Sequence, residues 1–424
     1  MKSIFVLIKQ KERSMHNIYK TISYFLIPLI YLNTFIRLIK KKEDNNRFKE
    51  RFGFTNLKKN GDKEVIWIHA SSVGEFKSCD LLINHFYKKY NLLITTTTKT
   101  ASDFAIKNYG EKIIHQYAPY DVMPWIDKFL EVWKPKLVIW IESDIWPNTI
   151  VRLREKKISA IFLNARISPQ SFERWKKISS YYKFITKSFF TIYAQSKNDL
   201  DRIAKLTDVN VNYLGNLKLT KRNTSLSKYK ISEKTNIMIA STHQNEENLI
   251  IPYMQNISEK FPFINFIIAP RHPNRSKTIY NLLKNKKLDV EYHSQLINHN
   301  CRYLIIDSFG KMEEFFNKSD IVFLGGSLIK KGGHNPIEAA LANCAIISGP
   351  YVFNWQNLYE EMMDQNSCLM INEAKELEIK IINLIKNKNL LEKYKKNALT
   401  FSNTVFFKED KLIKLLNYKL RYNA

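Results

Sequence analysis

Residues 321–342 read IVFLGGSLIKKGGHNPIEAALA, and this stretch decides the fold class. An apolar run stops at Gly325-Gly326, a second glycine pair stands at Gly332-Gly333, and Asn335-Pro336-Ile337-Glu338 opens a helical pattern. Asn is a favoured N-cap, Pro suits the first helical position and Glu the third, so the pattern predicts strand, glycine-rich loop and helix. Such a loop and helix start can bind an anion through backbone N–H groups, although a well-capped helix in any α/β protein fits the same pattern.

The same alternation of short apolar runs and longer helical stretches extends in both directions from this segment. It predicts right-handed βαβ units and parallel sheets, and ligands of such sheets bind at the carboxyl ends of the strands. A chain of 424 residues is too long for one core, so two similar α/β domains facing each other across a cleft are expected. The predicted strands are 65–68, 92–97, 137–141, 158–163, 193–196 and 211–214 in one half, and 237–240, 263–269, 302–306 and the opening run in the other.

The segment from residue 21 to 36 carries no charge and is flanked by Lys20 and Arg37. It is shorter than the roughly 20 residues of a spanning helix and contains Pro28. It also lacks a cleavage site of small residues, so it is not interpreted as a removed signal peptide. The segment predicts an N-terminal membrane anchor, either a short span or a helix in the interface, and a buried helix of the first domain is the alternative. Met15 is a second candidate start.

A formal charge of +27 indicates an anionic partner, which could be nucleic acid, a membrane surface or a phosphorylated substrate. A general bias towards Lys, Asn and Ile accounts for the charge equally well. Basic residues are spread along the chain with a local cluster beside the apolar segment, which favours anionic lipid over nucleic acid. The four cysteines stand far apart and are interpreted as reduced, buried thiols.

Several polar residues stand where ligands of parallel sheets bind. Glu75 completes Ser72-x-x-Glu75, which is either a capping box or the site of a general base. Glu142 ends a buried strand and could cap the next turn or face a ligand, and Arg271 stands on a turn between two prolines, where it suits phosphate. Lys218 could meet an anion or be an ordinary solvated lysine. No H-E-x-x-H, D-x-D or Walker A motif is present, so neither a catalytic metal nor a P-loop is predicted.

These stretches, taken together, resemble the 3-deoxy-D-manno-octulosonic acid (Kdo) transferases of lipopolysaccharide assembly. The resemblance covers nearly the whole chain from about residue 18 and follows the family's order of motifs. The matching motifs are RFKERFGF at 47–54, WIHASSVGEF at 67–76, ITTTTKT at 94–100, IESDIWPN at 141–148, LNARIS at 163–168, GNLK at 215–218, APRHP at 269–273 and GGHNPIEAA at 332–340.

The resemblance implies a GT-B fold, with two Rossmann-like domains facing across a cleft and an N-terminal membrane-anchor helix. It implies inverting transfer of Kdo from CMP-Kdo to the 6′-hydroxyl of a tetra-acylated lipid A precursor (lipid IVA), with release of CMP and without a metal or cofactor. Glu75 matches the general base, and Glu142 and Lys218 match residues that steady the transition state. The CMP-binding segments match Pro270 and Arg271, then Gly310, Lys311 and Met312, and finally Asn335, Pro336, Ile337 and Glu338.

Two positions depart from the family pattern. Lys311 stands where the family usually has an acidic residue, which questions a side-chain contact there, and Lys99 and Ala101 stand where Pro and Gly are more usual.

The resemblance also suggests a division of the chain and a location. Residues 1–46 are expected to form the tail and anchor, 47–218 the acceptor-binding domain, 219–400 the donor-binding domain and 401–424 a C-terminal helix that crosses back to the first domain. Residues 220–235 are the linker candidate. The expected location is the inner membrane, with the catalytic domains on the cytoplasmic face and no nucleic-acid partner. A nucleotide-sugar epimerase of the same architecture and a basic nucleic-acid-binding protein are the alternatives.

Overall fold

The computed structural model describes residues 2–142, 145–217, 219, 235–295, 301–308 and 310–422, with side chains from residue 13 onward. These residues form two compact units. The first takes in the described residues up to 219 and again residues 406–422, and the second takes in residues 235–405. Most of the predicted linker, from 220 to 234, lies outside the described residues, as does Lys218.

The described part of the first unit contains a seven-stranded parallel sheet with the strand order β3-β2-β1-β4-β5-β6-β7. Helices connect consecutive strands, as parallel pairing requires. The strands are β1 Val65–His69, β2 Asn91–Thr96, β3 Ile114–Tyr117, β4 Leu137–Ile141, β5 Ser159–Ala165, β6 Thr191–Ala194 and β7 Val211–Tyr213. The helices are α1 Lys2–Phe25, α2 Ile27–Ile39, α3 Val73–Lys77, α4 Asp80–Phe86, α5 Lys99–Tyr109, α6 Met123–Trp133, α7 Pro147–Glu155, α8 Pro169–Lys177, α9 Ser179–Thr186 and α10 Lys197–Ala204.

Both faces of this sheet are covered. Successive side chains of β1 point to opposite faces, so Val65 and Trp67 join one core cluster while Ile66 and Ile68 join the other. Every residue of β1 and of β4 is buried. This two-sided burial explains why the strands are continuous apolar runs in the sequence.

Strand β3 is not among the predicted strands because its sequence, IHQY, has no apolar run. His115 and Gln116 on this strand are buried, and each makes a side-chain hydrogen bond. His115 Nε2 lies 2.9 Å from Thr96 Oγ1. Trp133 Nε1–H donates to Gln116 Oε1 at 2.7 Å. Hydrogen bonds therefore stabilise a strand that hydrophobic periodicity alone does not reveal.

The described part of the second unit contains another seven-stranded parallel sheet, with the order β10-β11-β9-β8-β12-β13-β14. Strands β10, β13 and β14 are not among the predicted ones. The strands are β8 Thr235–Thr242, β9 Ile264–Pro270, β10 Val290–Tyr292, β11 Tyr303–Ile305, β12 Ile321–Leu324, β13 Ala345–Ser348 and β14 Leu369–Met370. The helices are α11 Glu246–Lys260, α12 Ser276–Asn285, α13 Met312–Asn317, α14 Ile337–Leu341, α15 Gln356–Asp364, α16 Ala374–Lys386 and α17 Lys388–Val405.

The predicted helix start after the second glycine pair is wrong by one position. Helix α14 has five residues and its N-cap is Pro336, which makes no side-chain capping bond. Asn335 Oδ1 instead accepts the N–H of Ile337, two residues on, at 3.1 Å. A short polar side chain can bond its own backbone in this way, so Asn335 closes a local turn before the helix and is not its N-cap.

The last helix, α18 (Glu409–Tyr422), packs within the first unit. Its Leu412, Leu416 and Leu420 join the same core cluster as Ile66 and Ile68. The chain enters it beside Gly215, whose φ is +94° and whose added Cβ would lie 2.2 Å from the carbonyl oxygen of Phe406. Only glycine allows so close an approach of the two backbones.

At the N-terminus, no single helix among the described residues is long and apolar enough to cross a membrane. Residues 13–25 and the helix α2 together meet the length and composition for one span, with a bend of 52° between them.

Candidate active site

Each sheet has one position where the strand order reverses. In the first unit this point lies between β1 and β4, and in the second it lies between β8 and β12. In open α/β sheets the crevice above the carboxyl ends of such neighbouring strands is the usual ligand site. The residues that follow these four strands are therefore the candidates for chemistry.

Glu75 lies in the first turn of α3, directly after β1. The Ser72 side chain accepts the N–H of Glu75, as in a capping box. The Glu75 carboxylate, however, accepts the N–H of Ser71 through Oε2 at 2.7 Å, and Ser72 Oγ donates to its Oε1 at 3.4 Å. The side chain is buried, and its oxygens are held at the carboxyl edge of β1. Capping and presentation of the carboxylate at the crevice are thus compatible.

A group of buried polar side chains supports the turn that carries Glu75. His69 Nε2 lies 3.0 Å from Ser71 Oγ, and His69 Nδ1 lies 2.9 Å from Thr95 Oγ1. The His69 ring stacks on Trp140 with 4.1 Å between centroids. Complete burial lowers the pKa of His69 to about 3, so the ring is neutral at pH 7.

The loop after β2 is tied to the same turn. The N–H and Oγ1–H of Thr97 both donate to the carbonyl oxygen of Ser71, at 3.1 and 2.9 Å. The carbonyl of Thr97 in turn accepts Arg51 Nη2–H at 2.7 Å. Arg51 is itself paired with Glu43 at 2.9 Å, and both side chains are buried. The basic motif before β1 therefore fixes the loop beside Glu75, a role that its sequence did not reveal.

Glu142 follows β4 with a left-handed backbone, φ 66°, and a buried side chain. Asn164, at the end of β5, is also left-handed, with φ 55°, and lies where the register of β5 and β6 shifts. Its Nδ2–H donates to Glu142 Oε1 at 3.4 Å, and its Oδ1 accepts the N–H of Leu217 at 3.1 Å. Such backbone conformations are costly for residues other than glycine and concentrate at functional sites.

Burial first, and then the charges of both Glu75 and Glu142, raise the pKa of one thiol, that of Cys79, well above its ordinary value. The first crevice thus places two carboxylates above neighbouring strands. Lys218, the third predicted catalytic residue, lies outside the described residues.

The predicted donor-binding residues follow three strands of the second sheet at their carboxyl ends. Pro270 is buried at the end of β9, and Arg271 after it is exposed while its N–H donates to the carbonyl of Thr242. Gly310 and Met312 flank Lys311, whose Nζ pairs with Glu314 at 3.1 Å. Lys311 stands where the resemblance leads one to expect an acidic residue. Its side chain pairs with a residue of α13, the helix that it precedes.

After β12, Ile337 is buried and Glu338 is exposed. The first glycine pair does not offer its backbone to a ligand, which corrects the expectation for this loop. The N–H groups of Gly326, Ser327 and Leu328 donate to the carboxylate of Glu246, at 2.7, 3.1 and 3.0 Å. A Cβ on Gly325 would lie 2.8 Å from Glu246 Oε2. These glycines therefore accommodate an internal carboxylate.

The structure brings together histidines from separate loops, which the sequence interpretation missed apart from noting His272. His243 follows β8 and His334 follows β12, and their Nε2 atoms lie 3.0 Å apart. The rings are stacked with an interplanar angle of 10°, and His272 packs edge-on against His243. Polar residues directly after a buried strand were the signal available for His243. Among the described residues, no group of three or more His, Cys, Asp and Glu side chains is placed to hold a metal ion.

Comparison with known proteins identifies relatives by sequence. Residues 46–221 match the family described as "3-Deoxy-D-manno-octulosonic-acid transferase (kdotransferase)". A 3-deoxy-D-manno-octulosonic acid transferase of Rickettsia bellii is 33% identical over 405 residues, which cover 91% of this chain and 95% of that protein.

Comparison of structures confirms the predicted fold class. MurG of Acinetobacter baumannii gives a TM-score of 0.56 at 10% identity and covers 84% of this chain and 99% of its own. The UDP-GlcNAc 2-epimerase of Neisseria meningitidis gives a TM-score of 0.53 at 15% identity, with 84% and 100% covered. At such identities the likeness concerns the fold alone, which is GT-B with two Rossmann-like α/β domains.

Proposed function

Because this chain belongs to the 3-deoxy-D-manno-octulosonic acid transferase family of lipopolysaccharide biosynthesis, we propose that it moves Kdo from CMP-Kdo to the 6′-hydroxyl of a tetra-acylated lipid A precursor. The observation that carries the proposal is the pair of buried carboxylates, Glu75 and Glu142, at the switch point of the first sheet. The donor is CMP-Kdo, and CMP leaves.

Glu75 acts as the general base in this proposal. Its carboxylate takes the proton of the acceptor hydroxyl while that oxygen attacks the anomeric carbon from the side opposite CMP, and the C–O bond to the phosphate breaks. The configuration is therefore inverted. The hydrogen bonds from Ser71 and Ser72 orient the carboxylate for this role.

Glu142 and Lys218 are proposed to steady the transition state, and Glu142 does so by stabilising the oxocarbenium character that develops as CMP departs. A carboxylate held in place in a buried site stabilises positive charge better than one in water, because it needs no reorganisation. Asn164, whose Nδ2–H reaches Glu142 at 3.4 Å, supports the orientation of this carboxylate.

The donor is proposed to bind above the second sheet. Arg271 is exposed and suits bidentate contact with the phosphate, and Glu338 is exposed and can accept ribose hydroxyls. The other residues proposed for this site lie at or after the carboxyl ends of strands β9, β11 and β12 of the second sheet: Pro270, Gly310, Lys311, Met312, Asn335, Pro336 and Ile337. The backbone of Gly310, with φ +81° and open space where a Cβ would stand, permits close approach of a ligand.

A cavity of about 220 Å³ beside the end of β5 supports the acceptor side of the proposal. Its guanidinium and hydroxyl groups suit a phosphorylated sugar, and its aromatic rings suit the apolar face of that sugar. The lining residues are Ile145, Phe162, Arg166, Ile167, Ser168, Ser171, Trp175 and Tyr182.

The distribution of side chains on α2 and on the described part of α1 supports attachment to the inner membrane, and the catalytic domains are proposed to lie on its cytoplasmic face. From residue 13 onward, the buried side chains of these two helices are polar: His16, Ser23 and Thr34 are 5%, 7% and 2% exposed. Large apolar side chains point outward instead, for example Phe25 at 79% and Phe35 at 60%. This inverted pattern fits a surface that meets lipid, and the adjacent lysines at 40–42 fit an anionic headgroup layer.

The deciding experiment incubates the membrane fraction with CMP-Kdo and the tetra-acylated lipid A precursor and measures the mass of the lipid product. We expect a gain of one or more Kdo units. An unchanged lipid mass with folded, CMP-binding protein would refute the proposal. An epimerase would alter the sugar nucleotide without a lipid acceptor, and its likeness to this chain concerns the fold alone. Tight, sequence-independent DNA binding at physiological salt would favour the nucleic-acid alternative.

A further inference from the structure

The histidine pair of the second unit occupies the switch point of its sheet. His243 follows β8 and His334 follows β12, so they stand on the two sides of the crevice. Ser241, two residues before His243, is left-handed, with φ 57°, at a register shift between β8 and β9. Such a bulge redirects the residues that follow it. The backbone therefore turns His243 towards His334.

The short distance between the two Nε2 atoms requires one hydrogen between them. Two nitrogen lone pairs repel at 3.0 Å, so one Nε2 carries a hydrogen and donates it to the other. In the neutral pair, the donor ring still has a lone pair on Nδ1. One additional proton can be accepted there, and the bond between the rings then becomes a charge-assisted hydrogen bond.

The surroundings keep this extra proton off the free pair. Burial lowers the pKa of His243 first, and the charges of Lys331, His272, Arg271 and Arg275 lower it further. Burial also lowers the pKa of His334 to about 4, with His243 and Arg271 adding to the effect and the backbone of Ser241 opposing it. The pair is thus neutral at pH 7 within a positive field.

The carboxylates packed against the pair already serve other partners. Glu246 accepts the N–H of His243 and the three N–H groups of the glycine loop. Glu247 pairs with Arg275 at 2.7 Å. Because Glu246 fills the glycine loop, an incoming anion meets side chains here in place of backbone N–H groups.

We propose that the His243–His334 pair is a proton-accepting anion site, which takes up one proton when the phosphodiester of a nucleotide sugar binds beside it. The bound anion offsets the field of Arg271 and Lys331, which adds to burial in opposing protonation. By linkage, an anion that favours the proton binds more tightly when the proton is present. This inference rests on the proposed function and adds a dependence on protons at the same donor site.

The test uses the methyl ester of CMP, a phosphodiester whose single negative charge stays constant between about pH 5 and pH 9. Calorimetric titration of the full-length protein in detergent, at pH 7 in HEPES and in Tris, separates protein enthalpy from buffer ionisation. We expect uptake of up to about one proton per ligand. We also expect the dissociation constant to rise with pH, by at most about tenfold per pH unit.

His243→Gln and His334→Gln should each abolish most of the uptake and flatten the pH dependence. His85→Gln is the matched control, because His85 is exposed on α4 of the first unit. Circular dichroism checks that each variant is folded. Absence of uptake by the unmodified protein would overturn the inference, as would uptake that survives in both variants. Neither measurement depends on transfer activity. A protein that transfers Kdo but binds the ligand independently of pH would refute the role of the histidine pair and leave the proposed function standing.

Discussion

Both sheets are parallel and have a switch point, but the residues at the two switch points differ in chemistry. At the first switch point, between β1 and β4, the buried groups are the carboxylates Glu75 and Glu142. At the second, between β8 and β12, the half-buried His243 and His334 lie with Arg271 close by, and the buried Glu246 carboxylate is taken up by the glycine loop. A parallel sheet provides the crevice in both units. The residues after the strands then decide whether the crevice suits proton abstraction or an anion.

The two edges also use backbone strain in the same way. Glu142 in one and Ser241 in the other have positive φ, 66° and 57°. Asn164 and Ser241 each lie at a register shift between neighbouring strands. These unfavourable conformations redirect side chains at the carboxyl ends of the strands. Because each edge has its own set of residues, a substitution at one edge should change transfer or donor binding without changing the other.

Glu75→Gln is expected to give the largest difference between the two edges, because it affects transfer and not CMP binding. The amide can still accept the N–H of Ser71 but cannot take the acceptor's proton, so we expect transfer to fall by about 10²- to 10⁴-fold. CMP affinity should stay unchanged because the second edge is untouched. Transfer is measured by mass spectrometry of the lipid and binding by calorimetry, with the exposed Glu131→Gln as control. Full transfer by Glu75→Gln would remove Glu75 from the mechanism.

Arg51→Met tests the support behind the first edge. Removing the guanidinium leaves the buried Glu43 carboxylate with Arg37, 3.0 Å away, as its ion-pair partner and removes the charged donor of the Thr97 carbonyl, which should cost about 1.5–3 kcal/mol of unfolding free energy. Urea unfolding measures the loss, and the exposed Lys49→Met should cost little. The double variant Glu43→Met, Arg51→Met should recover part of the loss. A single variant as stable as the unmodified protein would contradict the assigned role of the ion pair.

Arg271→Ala tests the second edge. Loss of a charged hydrogen bond to phosphate costs about 1.5–3 kcal/mol, so we expect the KM for CMP-Kdo to rise by about 10- to 100-fold. The maximal rate should change less than KM, which is the reverse of Glu75→Gln. Lys277→Ala, an exposed change on α12, is the control. An unchanged donor KM would exclude Arg271 from binding.

Acid should lower the unfolding free energy of the first unit over several pH units. The pKa values of His69 and His115 are lowered by burial from 6.5 to about 3, so the unfolded state binds their protons first as pH falls. Their stabilising effect is complete above pH 6.5 and is lost between 6.5 and 3, by about 1.4 kcal/mol per pH unit for each ring. Tryptophan fluorescence during urea unfolding at pH 7, 6 and 5 measures this. A stability independent of pH across this range would contradict the assignment.

Sequence patterns predicted the parallel sheets because both are built from continuous apolar runs such as 137–141 and 321–324. They did not predict β3, whose buried polar residues are stabilised by partners distant in sequence. The roles of Glu75, Glu142 and Arg271 in catalysis and binding stay predictions, although the structure places each at the expected edge of its sheet. Glu246 and the histidine pair were missed, since hydrogen bonds across 80 or more residues leave no local pattern.

The sequence by itself determined the family, the alternation of strands and helices, and the residue types at the strand ends, because apolar periodicity and motif order are properties of the linear chain. Only the tertiary structure decided which of those residues meet. Glu246 occupies the amides of the glycine loop, His243 meets His334, and Arg51 reaches the turn beside Glu75 because parallel strands bring distant segments to one edge.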